Sequence, residues 1–215
     1  MQALSKFILY KQKHNIQRDI MKKILVTILL TFCSLYCFAQ VSSGTWDDET
    51  ATYTNKHHKL SWTIWEGMDW IGRPITNKNT LLKVKNEDIN TLITLNAEPI
   101  INNKNFDIWD NLDMYSSTEA IRLSKEEAKR LGMELKSQKA TRTQICGRHA
   151  NKVIIDMAHY LSLFDTYTHS VTYIYQVATD RYIYTLQLWG MTINEKDLKN
   201  FDTIVNMIVN KFNLE

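Results

Sequence analysis

Two stretches near the C-terminal end, VTYIYQV (171–177) and RYIYTLQLW (181–189), constrain this chain more than any other feature. Both alternate with a period of two, which is the period of a strand and not of a helix. Only Ala178, Thr179 and Asp180 separate them, so they are predicted to pair as an antiparallel hairpin. Alternation places Tyr173, Tyr175, Tyr182 and Tyr184 on one face and Ile174 and Ile183 on the other. If the isoleucines face the core, the four tyrosines form an exposed aromatic platform. If the tyrosines face it, they are core, as paired aromatics in sheets usually are.

The rest of the chain reads in the same terms. In KLSWTIW (59–65), Leu60, Trp62 and Ile64 alternate with Ser61 and Thr63, the signature of a half-buried strand. Residues 80–100 read as two strands meeting at Asn86-Glu87-Asp88, with Leu82, Val84, Ile93 and Leu95 inward. Ser124 and Glu127 have the spacing of a capping box, and Gly132 stands where that helix would stop. Its face of Ala120, Leu123, Ala128 and Leu131 extends the helix back toward Ser117. A strand follows in ANKVIIDMAH (150–159). Leu198, Phe201, Val205, Ile208 and Phe212 then step by three and four residues, one helical stripe with Asn194 as N-cap and Asp197 at N3. No linker or internal repeat divides the chain. The expectation is a single α+β domain over 56–215, a mainly antiparallel β-sheet with packed helices, preceded by a flexible leader over 40–55.

Further upstream, MKKILVTILLTFCSLYCFAQ (21–40) has two lysines, an apolar run from Ile24 to Phe38 and the exit Cys37-Phe38-Ala39. These are the basic region, apolar region and small-x-small site of a secretory signal peptide over 21–39. Residues 1–20 are then an upstream extension not used by the cell. The run is shorter than the roughly 20 apolar residues of a membrane anchor. Cys33 follows Phe32 and Cys37 follows Tyr36, where a lipid-modified cysteine needs a small neighbour. Contact with a membrane is therefore expected only through the transient segment 24–38, and the destination is periplasmic or extracellular.

Removing the signal changes the charge. Six of the 26 lysines and arginines but one of the 23 acids precede Gln40, so the remainder carries −2 rather than +3. Nucleic-acid binding loses its electrostatic basis. Of the three cysteines, only Cys146 stays, which excludes an intramolecular disulfide.

Three stretches together resemble PsbP-like domains: the LSWTIW strand followed at a distance by Pro74, the turn ICGRHA (145–150) leading into a strand, and the ending TINEKDLKNFDTIVNMIVNKF (192–212). EGMDWIGRP (66–74) departs from the family's pattern, in which the early strand leads directly into a Pro-Trp-like segment. The resemblance implies an α/β/α sandwich and a non-catalytic assembly or accessory role, and it assigns no binding residue.

Candidate chemistry is thin. No nucleophile elbow, phosphate loop or dinucleotide fingerprint occurs. His149, His159 and His169 lie ten residues apart, with Cys146 and Asp156 three before the first two. Cys-x-x-His is half a zinc site, yet three residues along a strand turn Cys146 and His149 to opposite faces. No metal, cofactor or catalytic residue is expected. The enzymatic alternative is a small hydrolase or metal-dependent enzyme using Cys146, His149, His159 and Asp156. Against it, Cys146 between Ile145 and Gly147 reads as a small buried filler, and His57-His58 read as solvated. Asp107, Asp110 and Asp113, interleaved with Phe106, Ile108 and Trp109, read as the wet side of an amphipathic turn. Aromatic residues are the one excess, and the candidate ligand contacts are Tyr173, Tyr175, Tyr182, Tyr184, Trp65 and Trp70. The expected function is a secreted, non-enzymatic binding or accessory module that meets a protein or glycan partner through them.

Overall fold

The tyrosine hairpin lies at the centre of the structure, a computed structural model that describes residues 40–41, 44–65, 68–100, 107–161, 166–192 and 195–215. The chain divides into two units, Met1–Phe38 and Ala39–Glu215, and every described residue lies in the second. The segment 21–39 expected as a signal peptide and Asn194 fall outside the described residues. In chain order the early strands are β1 (Gln40–Val41), β2 (Thr45–Asp47), β3 (Thr52–Asn55), β4 (Leu60–Thr63), β5 (Ile71–Gly72), β6 (Thr80–Asn86) and β7 (Thr91–Pro99). A 3₁₀ turn at Ile108–Asn111 leads into helices α1 (Leu112–Ser116) and α2 (Thr118–Arg130). Strands β8 (Glu134–Ile145), β9 (Arg148–Leu161), β10 (Thr166–Ala178) and β11 (Tyr182–Thr192) follow, then helix α3 (Glu195–Val209) and β12 (Phe212–Leu214).

Every pairing is antiparallel. The large sheet has the order β1-β6-β7-β11-β10-β9-β8, with β5 also on β6, and a smaller sheet has the order β12-β4-β3-β2. The fold class is thus α+β, as expected. Val84 pairs with Ile93 and Leu82 with Leu95, and all four are buried. Asn86 fixes the turn between them by accepting from the Ile89 amide at 3.0 Å.

Register settles which face of the hairpin is core. Tyr173 lies opposite Leu188, Tyr175 opposite Leu186 and Val177 opposite Tyr184, and these six are buried together. That face meets α3, where the Phe201 ring packs edge-on to Tyr173. It also meets the small sheet, whose Tyr53, Leu60 and Trp62 join the same core. The opposite face takes the 3₁₀ turn and α1. There Asn151 donates to the Ile108 carbonyl at 2.6 Å and Gln138 to the Tyr115 carbonyl at 2.6 Å.

Several expectations are corrected. Within the stretch 40–55 expected as a flexible leader, β2 and β3 pair with each other and β3 with β4, with Tyr53 completely buried opposite Trp62. Helix α2 starts at the extended limit expected for it, capped by Ser117, whose hydroxyl accepts from the Ala120 amide at 3.1 Å, so Ser124 and Glu127 lie inside it and are not its capping box. Its stop is as expected: Gly132 at φ +70° lets Met133 N–H reach the Ala128 carbonyl at 2.8 Å, a Schellman closure. Its inward face is different, because Ala128 is buried while Leu123 and Leu131 are exposed. The C-terminal stripe is broken as well. α3 ends at Val209, and Phe212 lies on β12 opposite Trp62. Among the described residues no helix is long and apolar enough to cross a membrane.

Candidate functional site

Two turns from distant parts of the chain face each other across a cleft. The first joins β3 to β4. Asn55, buried, accepts from the His58 amide at 3.1 Å and donates to the Tyr53 hydroxyl at 2.8 Å, and Lys59 closes the turn at φ +51°. The second joins β10 to β11, where Thr179 Oγ1 accepts from the Tyr182 amide at 3.1 Å. Arg148 at the start of β9 and Glu215, whose amide donates to the Lys59 carbonyl at 3.0 Å, complete the walls. The cleft measures about 340 Å³ and is lined by His57, His58, Lys59, Arg148, Thr179, Asp180, Arg181, Tyr182, Tyr184 and Glu215.

His58 is its aromatic centre. Its Nδ1 lies 3.1 Å from the Tyr184 hydroxyl, and its ring packs edge-on to Tyr182 and Tyr184 at centroid distances of 4.6 and 5.7 Å. Burial, with the neighbouring His57 adding to it, holds the imidazole pKa below its ordinary 6.5. Burial pushes the Tyr184 phenol up to about 12, Tyr182 adding and Arg148 opposing. The pair is therefore a neutral hydrogen bond at neutral pH. Formal charge on the cleft walls, histidines aside, comes from Lys59, Arg148 and Arg181 against Asp180 and Glu215.

The structure separates the six expected ligand contacts. Tyr182 and Tyr184 line the cleft. Tyr173 and Tyr175 are buried, so the exposed platform of four tyrosines does not form. Their rings can be buried because their polar tips find partners: Tyr175 donates to Asn206 at 3.3 Å and Tyr173 hydrogen-bonds with Asp202, while Lys152 lies over both rings at 5.4 and 5.5 Å. Burial raises both phenol pKa values. Trp70 is buried with its Nε1 donating to the Trp65 carbonyl at 3.2 Å, and Trp65 is half-buried against the core, so neither stands out as a docking flank.

The residues of the enzymatic alternative each have other partners. Cys146 is not a buried filler: it is exposed, in a two-residue turn with Gly147, at φ +53° and +71°. Its Sγ lies 2.9 Å from the Phe212 carbonyl, and partial burial raises the thiol pKa, the reverse of activation. His149 stacks on Trp109 at 3.4 Å and meets Asp107 at 3.2 Å. There the Trp109 amide, ahead of His149, lowers the carboxyl pKa. His159 Nδ1 lies 2.7 Å from the Gly132 carbonyl. Asp156 pairs with His169 at 2.9 Å. Among the described residues no group of three or more His, Cys, Asp or Glu could hold a metal ion.

The half-burial of His58 departs from the solvated pair expected at His57-His58. Its sequence signal is faint: a four-residue turn between alternating strands, opened by Asn55.

With the geometry in place, the chain can be set beside known proteins. No protein-family model matches it, and no curated protein matches it. Its fold is similar to that of a PsbP protein. Cyanobacterial PsbP (CyanoP) from Synechocystis aligns over 82% of this chain and 98% of its own, at 10% identity and a TM-score of 0.45. LpqN of Mycobacterium tuberculosis, involved in cell envelope biogenesis, aligns over 72% and 82% at 9% identity and a TM-score of 0.42. The Saccharomyces cerevisiae Ran-binding protein Mog1p aligns over 80% and 96% at 10% identity and a TM-score of 0.40. At these values the likeness concerns the course of the chain and carries nothing about ligand or activity.

Proposed function

We propose that the protein is exported, loses its residues up to Ala39, and works in the periplasm or outside the cell as a non-enzymatic binding module. The cleft is its ligand site. The observation that carries this reading is the convergence of His58, Tyr182 and Tyr184 on one concavity at the lower end of the size range of small-molecule sites.

The test is recovery of the native protein from its host, with measurement of intact mass and of whatever co-purifies. The expected mass begins at Gln40, and a small molecule is expected to accompany it. Tyr182→Ala, at a half-buried position, should keep the fold and lose that molecule. A mature mass that includes residues 1–20 would overturn export, and a co-purifying species retained by Tyr182→Ala would overturn the site.

A further inference from the structure

We infer that this cleft takes a small sugar carrying a single carboxylate, a uronic-acid type of ligand; the inference rests on the binding-module reading above. The arginines decide it. Among the described residues, Arg73 pairs with Glu87, Arg122 with Glu119 and Glu126, and Arg130 with Glu127, while Arg142 lies over the Trp109 ring. Arg148 and Arg181 have no ion pair there, and both line the cleft together with Lys59. Arginine presents a planar fork of donors that matches a carboxylate with two parallel hydrogen bonds.

Asp180 and Glu215 narrow the ligand class further. Both line the same cleft and set negative charge against the three cations. A single carboxylate can be held by the two arginine forks, whereas a polyanion would bring further negative charge against Asp180 and Glu215. Size and surface point to a sugar rather than to an extended acidic chain. The space of about 340 Å³ suits one or two rings. Tyr182 offers an aromatic surface for the C–H face of a pyranose.

The test is a titration of the purified protein with glucuronate, glucose, inorganic phosphate and a short oligoglutamate peptide, followed by calorimetry and by NMR shifts of the Tyr182 and Tyr184 rings. Glucuronate is expected to bind about a hundredfold more tightly than glucose, the difference made by two charge-assisted contacts, one to each arginine, and to weaken as salt rises. Arg148→Gln and Arg181→Gln should each reduce glucuronate affinity about tenfold and leave glucose unchanged, with circular dichroism confirming the fold. Equal binding of glucose, tighter binding of phosphate or peptide, or indifference to both arginine variants would overturn the carboxylate-sugar assignment while leaving a ligand in the cleft. If no probe moves the tyrosine signals, and nothing co-purifies with the native protein, the binding-module reading itself fails.

Discussion

At the scale of single residues, the cleft histidine links stability to pH. Unfolded, His58 titrates near 6.5, and in the fold its pKa lies lower because burial disfavours the imidazolium. As pH falls through 6.5 the unfolded chain takes up the proton and the folded one does not, so stability drops and then levels below the folded pKa. The urea midpoint is expected to fall between about pH 7 and about pH 5, and His58→Gln should flatten that part of the curve. An unchanged slope in the variant would place the titration elsewhere. Packing is as specific at Gly190, in the centre of the sheet. A Cβ there would lie 2.7 and 2.8 Å from Cε2 and Cε1 of Phe201, whose ring is buried between α3 and the large sheet. Gly190→Ala is expected to cost about 1–3 kcal/mol in urea unfolding. A loss near zero would mean that α3 rides loosely on the sheet.

At the scale of elements, the β8–β9 turn shows what local sequence encodes and what it hides. Cys146-Gly147 carries positive φ at both positions, the type I′ geometry that right-twisted strands favour and that Asn-Gly fits best. Cys146→Asn should therefore match or exceed the parent in thermal stability. Cys146→Val should lose about 1–2 kcal/mol, because a branched side chain is strained there. Equal losses in both variants would assign the turn's stability to the contact between Sγ and the Phe212 carbonyl. The hairpins β6–β7 and β10–β11 are legible in the sequence because each joins two period-two runs through a short turn, and their inward pairs meet as the pattern requires. β8 has no such signature. Its twelve residues are mostly exposed or half-buried, and it closes the edge of the sheet, so no apolar alternation marks it. Phe212 misleads for the opposite reason: it continues the spacing of α3, yet the helix stops at Val209 and the residue returns on a strand. The tyrosine face could be recognised from alternation, but whether it is core depends on α3 and β4, which the hairpin's own sequence does not mention. The cleft was least legible, since its central hydrogen bond joins residues 126 positions apart.

At the scale of the whole molecule, the two ends of the described domain are tied together, and this decides how it unfolds. β12 pairs with β4, so the small sheet needs the C-terminal strand to complete it. Trp62, fully buried, donates from Nε1 to the Ile208 carbonyl at 2.9 Å and packs edge-on to Phe212 at 5.6 Å. One indole therefore reports on the small sheet, on α3 and on β12 at once. Phe212→Ala removes the ring between Trp62 and Tyr184 and is expected to cost about 3–5 kcal/mol. The small and large sheets share one apolar core, so the loss should be felt as a single transition, with tryptophan emission and far-ultraviolet dichroism changing together. Emission that shifts red at lower urea than the dichroism would instead show the small sheet opening on its own. The cleft adds a second readout, because Glu215 holds the Lys59 carbonyl from the same C-terminal segment. If β12 does brace that wall, Phe212→Ala should weaken glucuronate binding even under conditions where the chain remains folded. Unaltered binding in the folded variant would detach the cleft from the C-terminal strand and leave it to the two turns alone.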